Sequence, residues 1–194
     1  MNTHIDFEKS IRKSRLIYKG TFMERLKISL RNLFIGILAL IVSLVLFIYV
    51  YIYFGDNQLA ILLAVLPVLL ILISMILINK LVKVEGTELR RNQSEIVRLL
   101  LSRYPGIQRH NCSERMLVIT KGPRTSVFDK EILILLEDTY VYLNISMLGG
   151  GQWKYVFFSI PNYLRSRAVL RNFYQKIKEP AFTPVRLATE RATG

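Results

Sequence analysis

The chain has 194 residues, a net charge of +13 from 27 Lys and Arg against 14 Asp and Glu, and a composition that is 52% hydrophobic. One cysteine, Cys112, and two histidines, His4 and His110, exclude a disulfide framework and a zinc site of three or four ligands, so neither metal nor cofactor is expected. The basic balance calls for anionic partners: a lipid leaflet, a nucleotide or an acidic protein.

Residues 1–32 form a basic N-terminal segment with eight cations: Lys9, Arg12, Lys13, Arg15, Lys19, Arg25, Lys27 and Arg31. Between them lie Ile11, Leu16, Ile17, Phe22, Met23, Leu26 and Leu30. That mixture suits an amphipathic helix in the plane of a membrane surface. Gly20 interrupts the stripe, and a loose basic arm whose last turns extend the next element fits equally.

Residues 33–79 are the organising stretch. Leu33–Phe54 is 22 residues without a charge, Gly55-Asp56-Asn57 is a turn signal, and Gln58–Asn79 is 22 more without a charge. A helix of about 20 apolar residues spans the roughly 30 Å hydrocarbon layer. The expectation is therefore an antiparallel transmembrane hairpin. Cations cluster before Leu33 and after Asn79 and are absent from the turn, which places both termini in the cytoplasm of a multi-pass inner-membrane protein. Tyr49, Tyr51 and Tyr53 fall at the far interface. Pro67 bends the second span, as a tolerated kink or as a gating hinge. No acid, base, Asn or Gln lies inside the apolar layer, which speaks against a transporter or a one-chain aqueous pore.

Residues 80–179 are expected to form a small α+β cytoplasmic domain. The apolar periodicity of Leu89, Ile96, Leu100 and Tyr104 predicts a helix over 88–103, capped by Thr87 and stopped by Pro105-Gly106. Strands are predicted at 116–120, 131–136, 139–147 and 152–160, an antiparallel sheet of three or four. In the third, Tyr140, Tyr142, Asn144 and Ser146 alternate with Val141, Leu143, Ile145 and Met147. Pro161 opens a C-terminal helix over 162–178. Residues 80–86 either continue the second span or break at Gly86. Residues 180–194 read as a flexible tail.

Enzyme motifs are absent: no phosphate loop, no nucleophile elbow, no His-Glu-x-x-His. The Arg103/His110 spacing is interrupted by Pro105-Gly106, and Glu137-Asp138 falls in a hairpin turn. Two places suit an anion. One is the loop Lys121-Gly122-Pro123-Arg124-Thr125-Ser126, which combines cations, hydroxyls and an approachable backbone; a solvated basic loop is the plainer reading. The other is Trp153 with Lys154 beside a Gly-rich turn, a pair able to stack a base and hold its phosphate; an edge-strand core Trp is the plainer reading. Arg165, Arg167 and Arg171, near a helix N-terminus, add to either or form a solvated or lipid-facing surface.

The order of parts across residues 33–178 resembles the small two-span membrane effectors of prokaryotic antiviral signalling in type III CRISPR and cyclic-oligonucleotide (CBASS) systems. That resemblance implies a homo-oligomer whose soluble domain binds a cyclic oligonucleotide second messenger and whose hairpins then perturb the bilayer. It implies ligand contacts at Lys121, Arg124, Thr125, Trp153, Lys154, Arg165, Arg167 and Arg171. Phe157-Phe158-Ser159-Ile160-Pro161 followed by a helix is similar to two-span bacterial proteins with a pleckstrin-homology-like domain. That implies a membrane-tethered adaptor or accessory subunit binding lipid or protein. Either is non-enzymatic, and neither requires double-stranded nucleic acid.

Overall fold

The computed structural model describes residues 5–19, 22–55, 58–121, 128–149, 154–155 and 158–178. The elements in chain order are α1 (Phe7–Arg12), α2 (Phe22–Phe54), α3 (Gln58–Leu77), β1 (Val82–Glu85), α4 (Leu89–Arg103), β2 (Ile107–Ser113), β3 (Met116–Lys121), β4 (Phe128–Leu136), β5 (Tyr140–Gly149) and α5 (Ser159–Lys178).

α2 and α3 pack as a helical hairpin. Gly36, early in α2, lies against Met75, late in α3, so the helices run antiparallel. Among the α2 residues whose burial is described, the least exposed are Gly36, Leu40, Ser43, Phe47 and Val50. Their spacing of four and three is the heptad seam of two helices crossing at a shallow angle. Ile71 and Ser74 are buried on α3, and Ile78 is buried just past its end. Gly55, at φ +58°, turns the chain between the helices, a conformation that glycine adopts without a Cβ clash. The 18-residue window Gly36–Tyr53 is long and apolar enough to cross a membrane; in α3 the comparable apolar stretch, Val65–Leu77, is shorter. α2 begins at Phe22 rather than Leu33, so the helix extends through the last cations of the N-terminal segment.

The second unit is a sheet in the order β1-β5-β4-β3-β2, antiparallel throughout. β4 is central, and its apolar run is continuous because both faces are covered. Ile132, Ile134 and Leu136 point to one face, where Leu117, Ile119, Val141, Leu143 and Ile145 join them. α4 covers that layer with Ile96, Leu99 and Leu100, and α5 covers it with Val169, Leu170, Phe173 and Ile177. Leu133 and Leu135 point to the other face, with Val118 and Tyr142.

That second face is covered by the N-terminal segment. Ile5 and Leu16 are buried there beside Leu81, and Phe7, Ile11 and Tyr18 pack around them. α1 is only six residues long, and the chain doubles back after it: Asp6 N donates to Ile17 O at 2.8 Å and Ile5 bridges Tyr18. Residues 5–19 thus form a strap under the sheet, not the membrane-surface helix or loose arm expected for 1–32. The apolar residues are those of the expected stripe; their partner is Leu133 and Leu135 instead of lipid.

Other expectations change too. Residues 82–85 are an edge strand rather than an extension of the second span. Residues 107–113 are a strand that polar Gln108, Arg109, His110 and Asn111 concealed, so the sheet has five strands instead of three or four. The strand expected over 152–160 is replaced at its end by α5, which already includes Ser159 and Ile160; Lys154 makes only an isolated bridge to Leu148. Thr87 does not cap α4. Its amide donates to Asn92 Oδ1 at 2.8 Å, and the N-cap position is Glu88, without a side-chain cap bond.

Candidate functional site

The site is the joint between hairpin and sheet, and it exists because β5 outruns its neighbour. β1 pairs with β5 only from Tyr140 to Leu143. Beyond Leu143 the outer edge of β5 meets three other elements. Asn144 Nδ2 donates to Lys80 O at 2.9 Å and to Ile78 O at 3.5 Å, occupying carbonyls just past the end of α3. Ile145 N donates to Ser166 Oγ at 3.1 Å, and Ser166 Oγ donates to Asn162 O at 2.9 Å, which ties the same edge to α5. Tyr155 N donates to Met147 O at 3.0 Å.

The strap closes the joint from the other side. Leu16 N donates to Asn79 O at 2.8 Å, Leu81 N donates to Ser14 O at 3.0 Å, and Arg15 bridges Lys80. The chain just past α3 is therefore bonded both to the strap and, through Asn144, to β5. Ser14 takes φ 46° to make this turn, a left-handed conformation uncommon for a residue with a Cβ.

Lys154 lies inside this junction, 7% exposed. Its Nζ donates to Asn79 Oδ1 at 3.3 Å and Asn144 Oδ1 at 3.5 Å, and sits 5.7 Å from the centre of the Tyr18 ring. The ion pairs among the described residues are Lys9–Asp6, Arg98–Glu95 and Arg115–Asp138, so among those residues the acceptors of Lys154 are neutral. A buried ammonium is costly unless it is well ligated, and Asn79 and Asn144 carry that duty. Nearby, Lys80 Nζ lies 5.5 Å from the Tyr163 ring. A cavity of about 10 Å³ opens between Leu77 and Ile78 at the end of α3, Asn144 and Ser146 on β5, and Ser159 and Asn162 on α5.

A second polar cluster decorates the strap-side face farther along the sheet. Tyr142 is 2% exposed and its hydroxyl donates to Glu137 Oε2 at 2.9 Å. Burial, then the bond to Glu137 and its charge, push the phenol well above its ordinary range. Lys83 Nζ lies 3.5 Å over the Tyr140 ring.

The expected ligand contacts that lie among the described residues stand in different places. Lys154 turns inward on the strap side instead of standing beside an open anion site. Arg165, Arg167 and Arg171 lie on the exposed side of α5, which covers the opposite face; Arg165 Nη1 donates to Asn162 Oδ1 at 3.2 Å. Lys121 ends β3 opposite Lys130. Arg124, Thr125 and Trp153 lie outside the described residues. The joint residues Asn79, Asn144, Ser146, Ser159, Ser166 and Tyr18 were not anticipated. Their signal was Asn144 and Ser146 in mid-strand, on the face they share with Tyr140 and Tyr142, and Asn79 directly after an apolar run.

Comparison with protein families, with curated proteins and with solved structures gives no match to this chain.

Proposed function

We propose that this chain is a membrane-anchored sensor in which α2 and α3 cross the bilayer as a hairpin and the basic sheet domain passes a ligand-binding event to them. The observation that carries the reading is the joint: Asn144 and Lys154 bond residues 79–80, at the exit of α3, to β5, and the strap is bonded to the same exit. On this reading a shift of β5 is passed to the exit of α3.

Membrane insertion is supported by exposure. Ile37, Leu38, Ile41, Val42, Leu44, Val45, Leu46 and Ile48 are 45–62% exposed and surround α2 on every side but its seam with α3. Such a surface needs lipid or other apolar cover. α3, at 20 residues, is about 30 Å long, the thickness of the hydrocarbon layer. Because the strap and residues 78–81 share hydrogen bonds, the chain must return to the side it left, which agrees with the cations at both ends of the hairpin.

The most specific form of the reading is a homo-oligomeric effector of the inner membrane, with both termini cytoplasmic, gated by a cyclic oligonucleotide. Arg167 and Arg171, one turn apart on the exposed face of α5, are the described cations best placed for a phosphate. The second reading is a membrane-tethered adaptor, favoured by the meander β2–β5 leading into α5. Full-length protein in dye-loaded vesicles separates the two. Submicromolar binding of one ring size with dye release, lost in Arg167→Ala/Arg171→Ala, supports the effector. Binding of no ring in the panel, with retention on anionic vesicles, replaces it by the adaptor. Failure to enter vesicles at all removes the membrane anchor.

A further inference from the structure

Two hydroxyls in the joint have no partner. Ser146 Oγ on β5 and Ser159 Oγ at the start of α5 belong to residues only 4% and 6% exposed, and neither makes a hydrogen bond. Both residues line the cavity between α3, β5 and α5. Its volume of about 10 Å³ is enough for one water-sized occupant. Buried polar groups are rarely left bare, and two around one space imply something in it.

The surroundings set the sign of that occupant. Nearby acceptors are engaged: Asn144 Oδ1 receives Lys154 Nζ, Asn162 Oδ1 receives Arg165 Nη1, and Asn162 O receives Ser166 Oγ. Donor capacity remains. Two hydroxyl hydrogens are free, and the 20-residue α5 begins at Ser159, where the positive end of its dipole lies. Lys154 adds a full positive charge on the other side of Asn144, with no carboxylate in ion-pair contact among the described residues. Glu131, buried on β4 opposite Ser146, is the opposing charge closest in register, and it does not line the cavity.

We propose that the cavity binds a single monoatomic anion of chloride size, held by the hydroxyls of Ser146 and Ser159 at the N-terminus of α5. The ion joins β5 to α5 at the level where α3 ends, so its occupancy stiffens the connection between sheet and hairpin. This inference does not depend on the ligand proposed for the sheet domain.

The test uses the full chain in detergent micelles at constant ionic strength, with sodium gluconate replaced stepwise by sodium chloride or bromide. The expected result is a saturable rise in Tm of about 2–4 °C in either halide over gluconate. The rise disappears in Ser146→Ala/Ser159→Ala, which removes unpartnered atoms and so keeps the fold. It grows in Glu131→Gln, which removes the opposing charge. Equal melting in all three salts, or an equal halide response in the double alanine variant, overturns the proposal and leaves a water molecule only. Chloride NMR of the wild type provides an independent readout: line broadening displaced by bromide is expected, and its absence is equally fatal.

Discussion

Asn144 Nδ2 and Lys80 O are 2.9 Å apart, across 64 residues of sequence. One side-chain amide in mid-strand thus secures the exit of the helical hairpin, while its oxygen faces the buried Lys154 ammonium at 3.5 Å. Donor and acceptor ends of the same group do different jobs, and the two jobs respond differently to substitution.

Asn144→Leu leaves Lys80 O without its donor and Lys154 with one amide. Breaking the ligation of a buried charge costs about 3 kcal/mol, which in a protein of this size lowers Tm by about 6–12 °C. Lys154→Met removes the charge itself and costs about 0–1 kcal/mol. Melting curves of the two variants in micelles check the order. A Lys154→Met protein less stable than Asn144→Leu would mean that the ammonium, not the amide, organises the joint.

Two glycines make close contacts of different hardness. A Cβ at Gly36 meets Met75 Sδ at 2.5 Å, the far end of a flexible side chain, whereas one at Gly86 meets the amide of Asn92 at 2.5 Å. Asn92 is fully buried and its Oδ1 holds Thr87 N at 2.8 Å, so it has nowhere to go. Gly36→Ala is expected within about 1 kcal/mol of wild type, and Gly86→Ala to cost about 2–3 kcal/mol. Gly36→Leu separates the helices and is rescued by Met75→Ala, a coupling that a double-mutant cycle measures.

The strap is held mainly by Leu16 and Ile5, each 4% exposed. Leu16→Ala should cost about 2–4 kcal/mol. Leu16→Asp puts a bare carboxylate against Leu133 and Leu135 and should release the strap alone. Hydrogen exchange then rises across residues 5–19 while β3, β4 and the Tyr140–Leu143 half of β5 stay protected. Uniform loss of protection would show that strap and sheet unfold as one unit.

Tyr142 gives the alkaline limit. Its phenol is neutral in the folded state well beyond the pH at which an unfolded tyrosine ionises, about 10. With the folded pKa above the unfolded one, the stabilisation is complete below pH of about 10 and declines as pH rises toward the folded value. Melting temperatures between pH of about 9 and 11 should therefore fall more steeply in wild type than in Tyr142→Phe. Parallel curves would remove this group from the pH dependence.

The hairpin and the helices of the sheet domain were legible because their signals are local. Charge-free runs, Gly55 and the stripe Leu89, Ile96, Leu100 each declare themselves within a few turns. β4 and β5 were legible for the same reason, from Ile132–Leu136 and the alternation after Tyr140. β1 was hidden because Val82 and Val84, so close behind the second span, also fit its continuation into the cytoplasm. β2 was hidden because its run of Gln, Arg, His and Asn carries no period-two apolar pattern. The strap was visible as a stripe, but its partner is over a hundred residues away, and composition cannot choose between a lipid surface and Leu133. Lys154 misled for a related reason: beside glycines and a tryptophan it reads as a ligand contact, and only the fold brings Asn79, Asn144 and Tyr18 around it.

The strap also dictates an order of events. Residues 5–19 leave the ribosome well before their seat on Val118, Leu133, Leu135 and Tyr142 has been synthesised. At about 5–20 residues per second the interval is on the order of ten seconds. During it the apolar side of the strap has no sheet to cover, while α2 and α3 must already have found their surroundings. When β5 emerges, the strap closes beneath it and Leu16 finds Asn79. A segment made early thus docks late, on a seat built from β3, β4 and β5.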